Sequence, residues 1–309
     1  MSLEQDIKNK ALELGFDAVG LTDASPIGRD HMEHFLAWLE SGCAGPLHYM
    51  HRNQEKRIDP TKLLEGARSV IVVALSYKPP VGVTAVGWAP PAGPMGRIAQ
   101  FAQYEDYHSF IKRLLGELAG IIQNRTGGSH RFKLCVDSSP LAEKALAVRA
   151  GLGFIGRNHL LIHPQLGPQI LLGELLTTAE LAPDEPARGD CGDCDLCLRA
   201  CPTGALRRDG FFDARECISC LTQYGPSPRT GVWLFGCDEC LLACPHQQCA
   251  PARANRDFVH HVEWAQVDLR EVIELTPEEF DARFADSPMR HMGLERLRQN
   301  AATCLKNRG

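Results

Sequence analysis

The chain has 309 residues and a formal net charge of −5, with 44% hydrophobic and 23% charged residues. This length predicts about two domains, and the composition is that of a folded globular protein and not of a disordered or fibrous one. The net charge excludes a broadly basic nucleic-acid-binding surface, and no apolar run is long enough to span a bilayer. The start of the sequence has no signal-peptide pattern, so we predict a cytoplasmic protein without disulfides.

Hydrophobic periodicity predicts alternating helices and strands up to about residue 180. Ser2 and Gln5 are spaced as in a capping box, and Ile7, Ala11 and Leu14 follow at helical spacing. An unbroken apolar run at 70–75 predicts a strand that is buried on both faces. The other predictions are strands at 16–21, 97–102 and 132–136, helices at 30–41 and 105–125, and a long loop rich in Pro and Gly at 78–96.

The elements after residue 136 complete the predicted first domain. Ser139 is placed to cap a helix with Pro140 at its first position. Two strands, at 160–162 and 170–177, are predicted to pair around the turn between them. This alternation predicts an α/β or α+β domain packed on a sheet. Further helices are predicted near the carboxyl terminus, at 276–285 and 288–305.

A glycine motif at Gly151, Gly153 and Gly156 matches the G-x-G-x-x-G pattern of dinucleotide-binding proteins. That fingerprint needs a strand before it and a helix after it, so that the helix N-terminus faces the pyrophosphate. Here a helix precedes the glycines, and a strand follows them. We therefore predict that they end the helix and allow close backbone approach to a bulky group, and we do not predict nicotinamide binding.

Asp137 follows a predicted strand, at the end where α/β proteins present ligand-facing residues. An acidic residue at this position also stabilises the N-terminus of a following helix through the helix dipole. Ser139 is the better helix cap, which leaves Asp137 available for another task. The sequence by itself leaves both interpretations of Asp137 open.

Ten of the thirteen cysteines lie between residues 191 and 249. The first four follow the bacterial ferredoxin pattern, in which three thiolates bind one iron–sulfur cube and the fourth, before a proline, binds its neighbour. A second run repeats the Cys-x3-Cys-Pro ending but lacks one early ligand, which either Cys217 or Cys220 supplies. Two [4Fe–4S] clusters are predicted, since eight ligands are needed and ten are present. The two runs are Cys191-x2-Cys194-x2-Cys197-x3-Cys201-Pro202 and Cys237-x2-Cys240-x3-Cys244-Pro245.

A zinc site is the alternative interpretation of these cysteines. Zinc needs four ligands, usually from two Cys-x2-Cys pairs, and has no use for a third close cysteine or for a following Cys-Pro. The repeated ferredoxin pattern therefore favours the clusters.

Further motifs occur in a fixed order along the chain. They are Arg57-Ile-Asp-Pro60, Gly96-Arg-Ile-Ala-Gln100, Asp106-Tyr-His108, Asp137-Ser-Ser-Pro-Leu-Ala-Glu143, Ala150-Gly-Leu-Gly-Phe-Ile-Gly-Arg-Asn158, Cys217-Ile-Ser and the two cysteine runs. In this order and spacing the motifs resemble those of the epoxyqueuosine reductase family. The resemblance extends from about residue 5 to about residue 300.

The resemblance implies an oxidoreductase of queuosine biosynthesis that reduces the epoxide of epoxyqueuosine in tRNA to queuosine. It implies two [4Fe–4S] clusters and cobalamin, the latter bound base-off without a histidine ligand, and the sequence has no Asp-x-His-x-x-Gly motif. The implied fold is α+β. Its three parts are a nitroreductase-like cobalamin-binding domain at 1–182, a ferredoxin-like domain at 183–255 and a helical segment at 256–309. The implied partners are the modified tRNA and an external low-potential donor of the ferredoxin or flavodoxin type, and we expect a monomer that binds no membrane.

Residue roles follow from the same resemblance. It makes Asp137 the proton donor and a member of the cofactor pocket, and it adds Arg57, Arg97, Asn158 and His159 to that pocket. It assigns one cube to Cys191, Cys194, Cys197 and Cys244, and the other to Cys201, Cys217, Cys237 and Cys240. The remaining thiols are Cys43, Cys135, Cys220, Cys249 and Cys304.

Two departures from the family pattern affect these assignments. Position 220 is usually aromatic in the family but is Cys220 here, which leaves the ligand at 217 or 220 open. Many members continue into helical repeats that grip tRNA, whereas this sequence ends at Gly309 with a basic stretch from Ser287 onward, which becomes a candidate for phosphate contact. A reductive dehalogenase with similar cofactors and a ferredoxin-type electron carrier are the alternative functions.

Overall fold

The computed structural model describes residues 2–79, 93–225, 227–253, 255 and 257–308. Its α-helices are α1 Leu3–Glu13, α2 Arg29–Glu40, α3 Gln54–Ile58, α4 Tyr107–Thr126, α5 Glu143–Arg149, α6 Leu196–Ala200, α7 Ile218–Tyr224, α8 Glu239–Leu242, α9 Pro245–Cys249, α10 Leu269–Glu274, α11 Pro277–Phe284 and α12 Leu294–Lys306. Its strands are β1 Ala18–Asp23, β2 Ser69–Ser76, β3 Met95–Ile98, β4 Phe132–Cys135, β5 Phe154–Ile155, β6 Leu161–Ile162, β7 Ile170–Thr177, β8 Trp233–Phe235 and β9 Gln266–Asp268. Short 3₁₀ helices occupy His48–His51, Pro60–Lys62, Gln100–Gln103, Pro228–Thr230, Val262–Trp264 and Pro288–Met292.

The main sheet has four antiparallel strands in the order β1-β2-β7-β4. Every residue of the central strand β2 is buried, as the apolar run predicts. Helices α1 and α4 cover one face of the sheet, where Ile111 and Leu115 of α4 pack with Ile71 and Val73 of β2. On the other face, Leu146 of α5 joins a second apolar cluster. The mixed helix-and-sheet fold predicted from the sequence is confirmed.

Helix α1 confirms the predicted cap, because the Ser2 hydroxyl accepts a hydrogen bond from the Gln5 backbone N–H at 3.3 Å. Helix α4 begins later than predicted, at Tyr107, because Asp106 caps it by accepting from the backbone N–H of His108 at 3.1 Å. Each boundary is thus set by the first side chain that can satisfy a free N–H of the first turn.

The predicted helix start at Ser139 is wrong. The chain makes tight turns after β4, in which Ser138 N–H donates to Val136 C=O and Leu141 N–H donates to Ser139 C=O. Asp137 has a φ of 51°, which is incompatible with a regular helix. The helix α5 therefore begins only at Glu143.

The predicted pairing of 160–162 with 170–177 is also wrong. Strand β6 pairs with β5, and β7 enters the main sheet between β2 and β4. Gly153 makes the β5–β6 hairpin possible, because it has a φ of 149° and a Cβ at that position would lie 2.2 Å from the Ile162 carbonyl oxygen. The bulky group that the glycine approaches is therefore the chain's own backbone.

A second sheet, in the order β8-β3-β9, joins distant parts of the chain. The predicted strand at 97–102 is shorter than expected, because the chain turns into the 3₁₀ helix Gln100–Gln103. Of the predicted loop at 78–96, residues 80–92 lie outside the described residues. The predicted boundaries at 182/183 and 255/256 remain predictions.

The carboxyl-terminal helices pack against this second sheet. Thr276 and Glu279 form a reciprocal capping box at the start of α11. Asn300 of α12 is buried and donates from Nδ2 to the carbonyl oxygens of Thr222 and Leu234, at 2.7 and 3.1 Å. Among the described residues, no helix is both long and apolar enough to cross a membrane.

Candidate functional site

Four cysteines surround a small cavity of about 50 Å³: Cys191, Cys194, Cys197 and Cys244. Its other lining residues include Arg157 and Asn158 from the turn that follows β5. The backbone N–H of Arg157 lies 3.4 Å from the Cys191 sulfur, and the Arg157 guanidinium donates to the Gly192 carbonyl oxygen at 2.9 Å. The fold therefore brings together the first three cysteines of one run and the last cysteine of the other.

The second set of cysteines lines a larger cavity of about 300 Å³, and consists of Cys201, Cys217, Cys237 and Cys240. Burial acts to raise the pKa of the Cys201 thiol, but hydrogen bonds from backbone N–H groups, including those of Leu206 and Thr203, lower it overall. Such N–H groups directed at sulfur favour a thiolate ligand. The two sets coincide with the ligand assignment that the family resemblance implies, and that assignment remains a proposal.

Cys220 lies apart from this cavity. It packs in an apolar cluster with Trp38, Leu39 and Cys43, and burial raises the pKa of its thiol to about 12. This packing favours Cys217 as the ligand. In the part of the chain that the structure describes, no three His, Cys, Asp or Glu side chains are close enough together to hold a single metal ion.

Asp137 lies two residues after the end of β4, and 65% of its side chain is exposed. Its Oδ2 accepts a hydrogen bond from the Tyr107 hydroxyl at 3.0 Å and lies 3.4 Å from Nε2 of His108. The other nitrogen of His108, Nδ1, lies 2.6 Å from Oδ1 of Asp106. A histidine thus bridges two carboxylates, one at a helix cap and one facing the cleft.

The charges of this group reinforce one another. The hydrogen bond with His108 lowers the pKa of Asp137, although burial opposes the shift. Burial also opposes a charge on His108, but the hydrogen bonds with Asp106 and Asp137 raise the pKa of His108 to about 9. At neutral pH the resting pair is therefore an imidazolium next to a carboxylate, and the proton is stored on His108.

Three cavities meet at Lys144, the second residue of α5. The cavity of about 300 Å³ also contacts Asn158 and His159, a cavity of about 220 Å³ contacts Arg57 and Glu143, and one of about 650 Å³ contacts His159 again. The Lys144 ammonium donates to the His159 carbonyl oxygen at 2.6 Å. Together these cavities form the central cleft, next to Asp137 and to the second cysteine set.

Three of the predicted pocket residues, Asn158, His159 and Arg57, line the central cleft, and Arg97 is not among the residues that line it. Asn158 is 5% exposed, and its Nδ2 has no hydrogen-bond partner among the described residues, although it borders both cysteine-lined cavities. Burial and the nearby Lys144 charge lower the pKa of His159 to about 4, so its ring is neutral. Arg57 borders the central cleft, with its guanidinium 5.7 Å from the Tyr49 ring centroid. Arg97 instead lies buried in β3, over the ring of Trp233.

Sequence reasoning assigned no role to several residues that the fold places around Asp137. Tyr107 and His108 lie within a motif that carries the family resemblance, so a signal for them was available. Glu143 ends another such motif and accepts a hydrogen bond from the Asp137 backbone N–H at 2.6 Å. Glu174 is the one charged residue in the apolar strand β7, and that was its only signal.

Two protein-family models match parts of this chain. A protein-family model described as epoxyqueuosine reductase QueG, DUF1730, matches residues 57–138. A second, described as a 4Fe-4S double cluster binding domain, matches residues 190–247. The first match contains Arg57, Tyr107, His108 and Asp137, and the second contains all eight predicted cluster ligands.

Complete relatives align over almost the whole chain. An epoxyqueuosine reductase of Pseudomonas aeruginosa is 37% identical, and the match covers 99% of this chain and 85% of the relative. The structure of epoxyqueuosine reductase from Streptococcus thermophilus is 32% identical, with a TM-score of 0.87 over 99% of this chain and 82% of that one. An epoxyqueuosine reductase crystallised with an epoxyqueuosine-modified tRNA-Tyr stem loop is 28% identical, with a TM-score of 0.87 over 99% and 81% of the two chains.

Proposed function

Since the chain belongs to the epoxyqueuosine reductase family, we propose that it is the oxidoreductase that reduces the epoxide of epoxyqueuosine in tRNA and so produces queuosine. The reaction removes one oxygen atom as water and consumes two electrons and two protons. The observation that supports it best is the position of Asp137. Its backbone N–H donates to Glu143, which lines the central cleft, and the second cysteine set lines another part of the same cleft.

The residues of the two cysteine-lined cavities fit two [4Fe–4S] clusters. Each cavity is lined by four cysteines. The smaller cavity takes three from the first run and one from the second, and the larger takes one from the first run, two from the second and Cys217 from between them. Cys191, Cys194, Cys197 and Cys244 would hold one cluster. Cys201, Cys217, Cys237 and Cys240 would hold the other, which borders the central cleft.

The central cleft fits a large cofactor with amide groups. Asn158 carries a buried N–H₂ group that lacks a partner among the described residues, and such groups in proteins are normally hydrogen-bonded. The corrin ring of cobalamin has amide side chains that would satisfy it. We propose that Asn158, His159 and Arg57 hold cobalamin, which when bound supplies the low-potential reducing chemistry of the reaction. Arg97 is buried over Trp233 and lines none of the three cavities of the central cleft, so it would support this site only indirectly.

Protons come from the chain's own residues. The epoxide oxygen becomes an alkoxide as its ring opens, and an alkoxide is a poor leaving group until it is protonated. We propose that His108, charged at neutral pH, passes its proton to Asp137 through the 3.4 Å contact, and that Asp137 then delivers this proton to the alkoxide. The Tyr107 hydroxyl, which donates to the same carboxylate oxygen, fixes the direction of Asp137. Positioned proton transfer of this kind contributes about two to four orders of magnitude in rate.

The remaining partners are proposals as well. Electrons would come from an external low-potential donor of the ferredoxin or flavodoxin type, and the chain would act as a cytoplasmic monomer. The 4Fe–4S cluster at Cys191, Cys194, Cys197 and Cys244 is the natural entry point, because the other cluster borders the central cleft.

The test is anaerobic reconstitution with iron, sulfide and cobalamin, followed by reduction of tRNA that carries epoxyqueuosine. We expect the modified nucleoside to lose one oxygen in mass spectra, and to do so only when cobalamin is present. Assembly of clusters without corrinoid retention or oxygen loss would instead identify an electron carrier. Dehalogenation of a halogenated phenol without action on the tRNA would identify the other alternative.

A further inference from the structure

A pair of carboxyl groups fastens the segment 136–142, which we call the Asp137 loop, to the main sheet. The backbone N–H of Asp137 donates to Oε1 of Glu143 at 2.6 Å. Asp137 itself has a φ of 51°, a left-handed conformation that costs free energy for a residue other than glycine. The hydrogen bond to Glu143 thus helps to hold Asp137 in this strained conformation.

Glu143 is in turn supported by a fully buried acid. Glu174 lies in the middle of β7 with an exposure of 0%, opposite Val72 in β2 and Cys135 in β4. Neither of its carboxyl oxygens meets an N–H or O–H donor of another described residue. Its partner in β4, Cys135, precedes Asp137 by two residues, and α5 packs on β7, so Glu174 lies close to Glu143. A buried carboxyl group in such a place needs a proton of its own, because an uncompensated buried charge is costly.

A proton shared between Glu143 and Glu174 removes the uncompensated buried charge. Burial, followed by repulsion from Glu143, raises the pKa of Glu174 well above its ordinary value. Burial, followed by repulsion from Asp137, raises the pKa of Glu143 as well. Two adjacent carboxyl groups hold one proton because both cannot ionise at low cost. Neutral Glu174 then donates to Glu143, whose other lone pairs remain free to accept the Asp137 N–H.

The surroundings of the pair carry few other charges. Arg57 of α3 and Lys144 of α5 act on Glu143 as nearby positive charges, and Asp137 acts on it as a negative one. Cys135 of β4 is a neutral thiol, since burial raises its pKa. On the face of the sheet that carries Glu174, strands β2 and β7 contribute apolar side chains such as Val72 and Leu176. Tyr107 and His108 of α4 contact the side chain of Asp137, whereas Glu143 contacts its backbone N–H. The proton between the two glutamates is therefore the variable charge on the backbone side of Asp137.

We propose that Glu143 and Glu174 share one proton and act as positioning residues that hold the Asp137 loop against β7. The proposal rests on the proposed role of Asp137 as proton donor. When the shared proton is lost at higher pH, the two carboxylates repel each other, and Glu143 no longer holds the Asp137 backbone. Protonation of this pair thus decides whether the acid of the reaction is in place.

Hydrogen–deuterium exchange of the reconstituted protein without substrate tests the structural half of the proposal. We expect Glu143→Ala to increase exchange of the Asp137 loop by about tenfold, since it removes the acceptor of the Asp137 N–H. Glu174→Gln, which keeps a permanent donor for Glu143, should retain protection to a higher pH than the wild type does. Glu117→Gln, on the exposed face of α4, is the matched control. Unchanged exchange in Glu143→Ala would overturn the proposal.

The pH dependence of epoxyqueuosine reduction tests the functional half. We expect wild-type kcat to fall above neutral pH, and Glu174→Gln to move that fall upward by about one pH unit or more. Glu143→Ala should lower kcat with little change in KM. A purely structural role for Glu174 predicts identical pH profiles for the wild type and Glu174→Gln, and that result would refute the proposal. Failure of the wild type to reduce epoxyqueuosine would refute the proposed function, while the exchange measurement would still decide whether the pair holds the loop.

Discussion

His108 and Asp137 meet through Nε2 and Oδ2, 3.4 Å apart, and the backbone N–H of Asp137 donates to Glu143, which lines the central cleft. His108 is held from its other side by Asp106, the cap of α4, so its ring cannot turn away without loss of the 2.6 Å contact between Nδ1 and Asp106. Asp137 is mostly exposed, whereas His108 is mostly covered. The proton is therefore held on His108, which is fixed and mostly covered, and is passed on by Asp137, which is mostly exposed.

Asp137→Asn should abolish most turnover and leave both clusters and the cobalamin in place. An amide has the shape of the acid but no proton to give to an alkoxide, so we expect a loss of about two to four orders of magnitude in kcat. Single-turnover assays of the reconstituted enzyme measure this, and Asp281→Asn on the exposed face of α11 is the control. Activity near that of the wild type would exclude Asp137 as the donor.

His108→Gln should slow the reaction and also remove a pH-dependent part of folding stability. The pKa of His108 is raised in the folded state, so its stabilisation is fully present below its ordinary pKa of about 6.5 and is lost as pH rises through about 9. We expect the difference in unfolding free energy between wild type and variant to shrink over that window. Denaturant titrations at several pH values measure it, with His130→Gln as the control. A difference that does not change with pH would contradict the paired imidazolium.

Cys217→Ser and Cys220→Ser should separate the two candidate ligands. Cys217 borders the cavity of the second cysteine set, and Cys220 packs among apolar side chains. We therefore expect Cys217→Ser to lower iron content and change the electron paramagnetic resonance spectrum of the reduced protein. Cys220→Ser should keep both clusters and lower only the thermal stability. The opposite pattern would reassign the ligand.

Asn158→Ala should weaken cobalamin binding. Its amide is buried at the cleft without a partner among the described residues, so one hydrogen bond to the cofactor is expected, worth about fivefold in affinity. Equilibrium dialysis with cobalamin measures the change, and Asn124→Ala on the surface of α4 is the matched control. Equal affinity in both variants would mean that Asn158 serves the neighbouring cysteine-lined cavity instead.

The basic carboxyl-terminal stretch should divide into structural and tRNA-contacting residues. Arg298 donates to the Leu275 carbonyl oxygen, and Arg308 donates to those of Gly93 and Met95. Arg298→Ala should therefore lower the melting temperature. Lys306 is exposed at the end of α12, so Lys306→Ala should weaken tRNA binding at low salt and reduce its salt dependence. Binding that is unaffected by Lys306→Ala at every salt concentration would place the tRNA elsewhere.

The strongest sequence patterns predicted those features that depend only on residues close together along the chain. The apolar run of β2 and the Ser2–Gln5 spacing of α1 depend on neighbours along the chain, and both predictions agree with the structure. The spacing of the cysteines is local in the same way, and the match to a 4Fe-4S double cluster domain agrees with the prediction of two clusters. Strand pairing does not depend on neighbours in this way. Nothing within 160–177 shows that β6 pairs backward with β5 while β7 inserts between β2 and β4.

The site was predictable only where a motif marked it. Asp137 stands out in its motif. Its contact with His108 arises because the end of β4 lies next to the start of α4. Ser139 failed as a helix cap because the strained turn at Asp137 overrides the local preference of Ser-Pro. The partnership of Glu143 with Glu174 needed the packing of α5 on β7, which no spacing in the sequence reveals.

The sheet formed by β8, β3 and β9 has a consequence for how the protein is made. Strand β3 is synthesised early, but both of its partners lie far downstream, on either side of the last cluster cysteines. Contacts between such distant segments form slowly, because a long loop must close first. On the ribosome, one edge of β3 stays unpaired until β8 has emerged, and the other stays unpaired until β9, which ends at Asp268, has emerged. The growing chain therefore depends on protection of these edges until then.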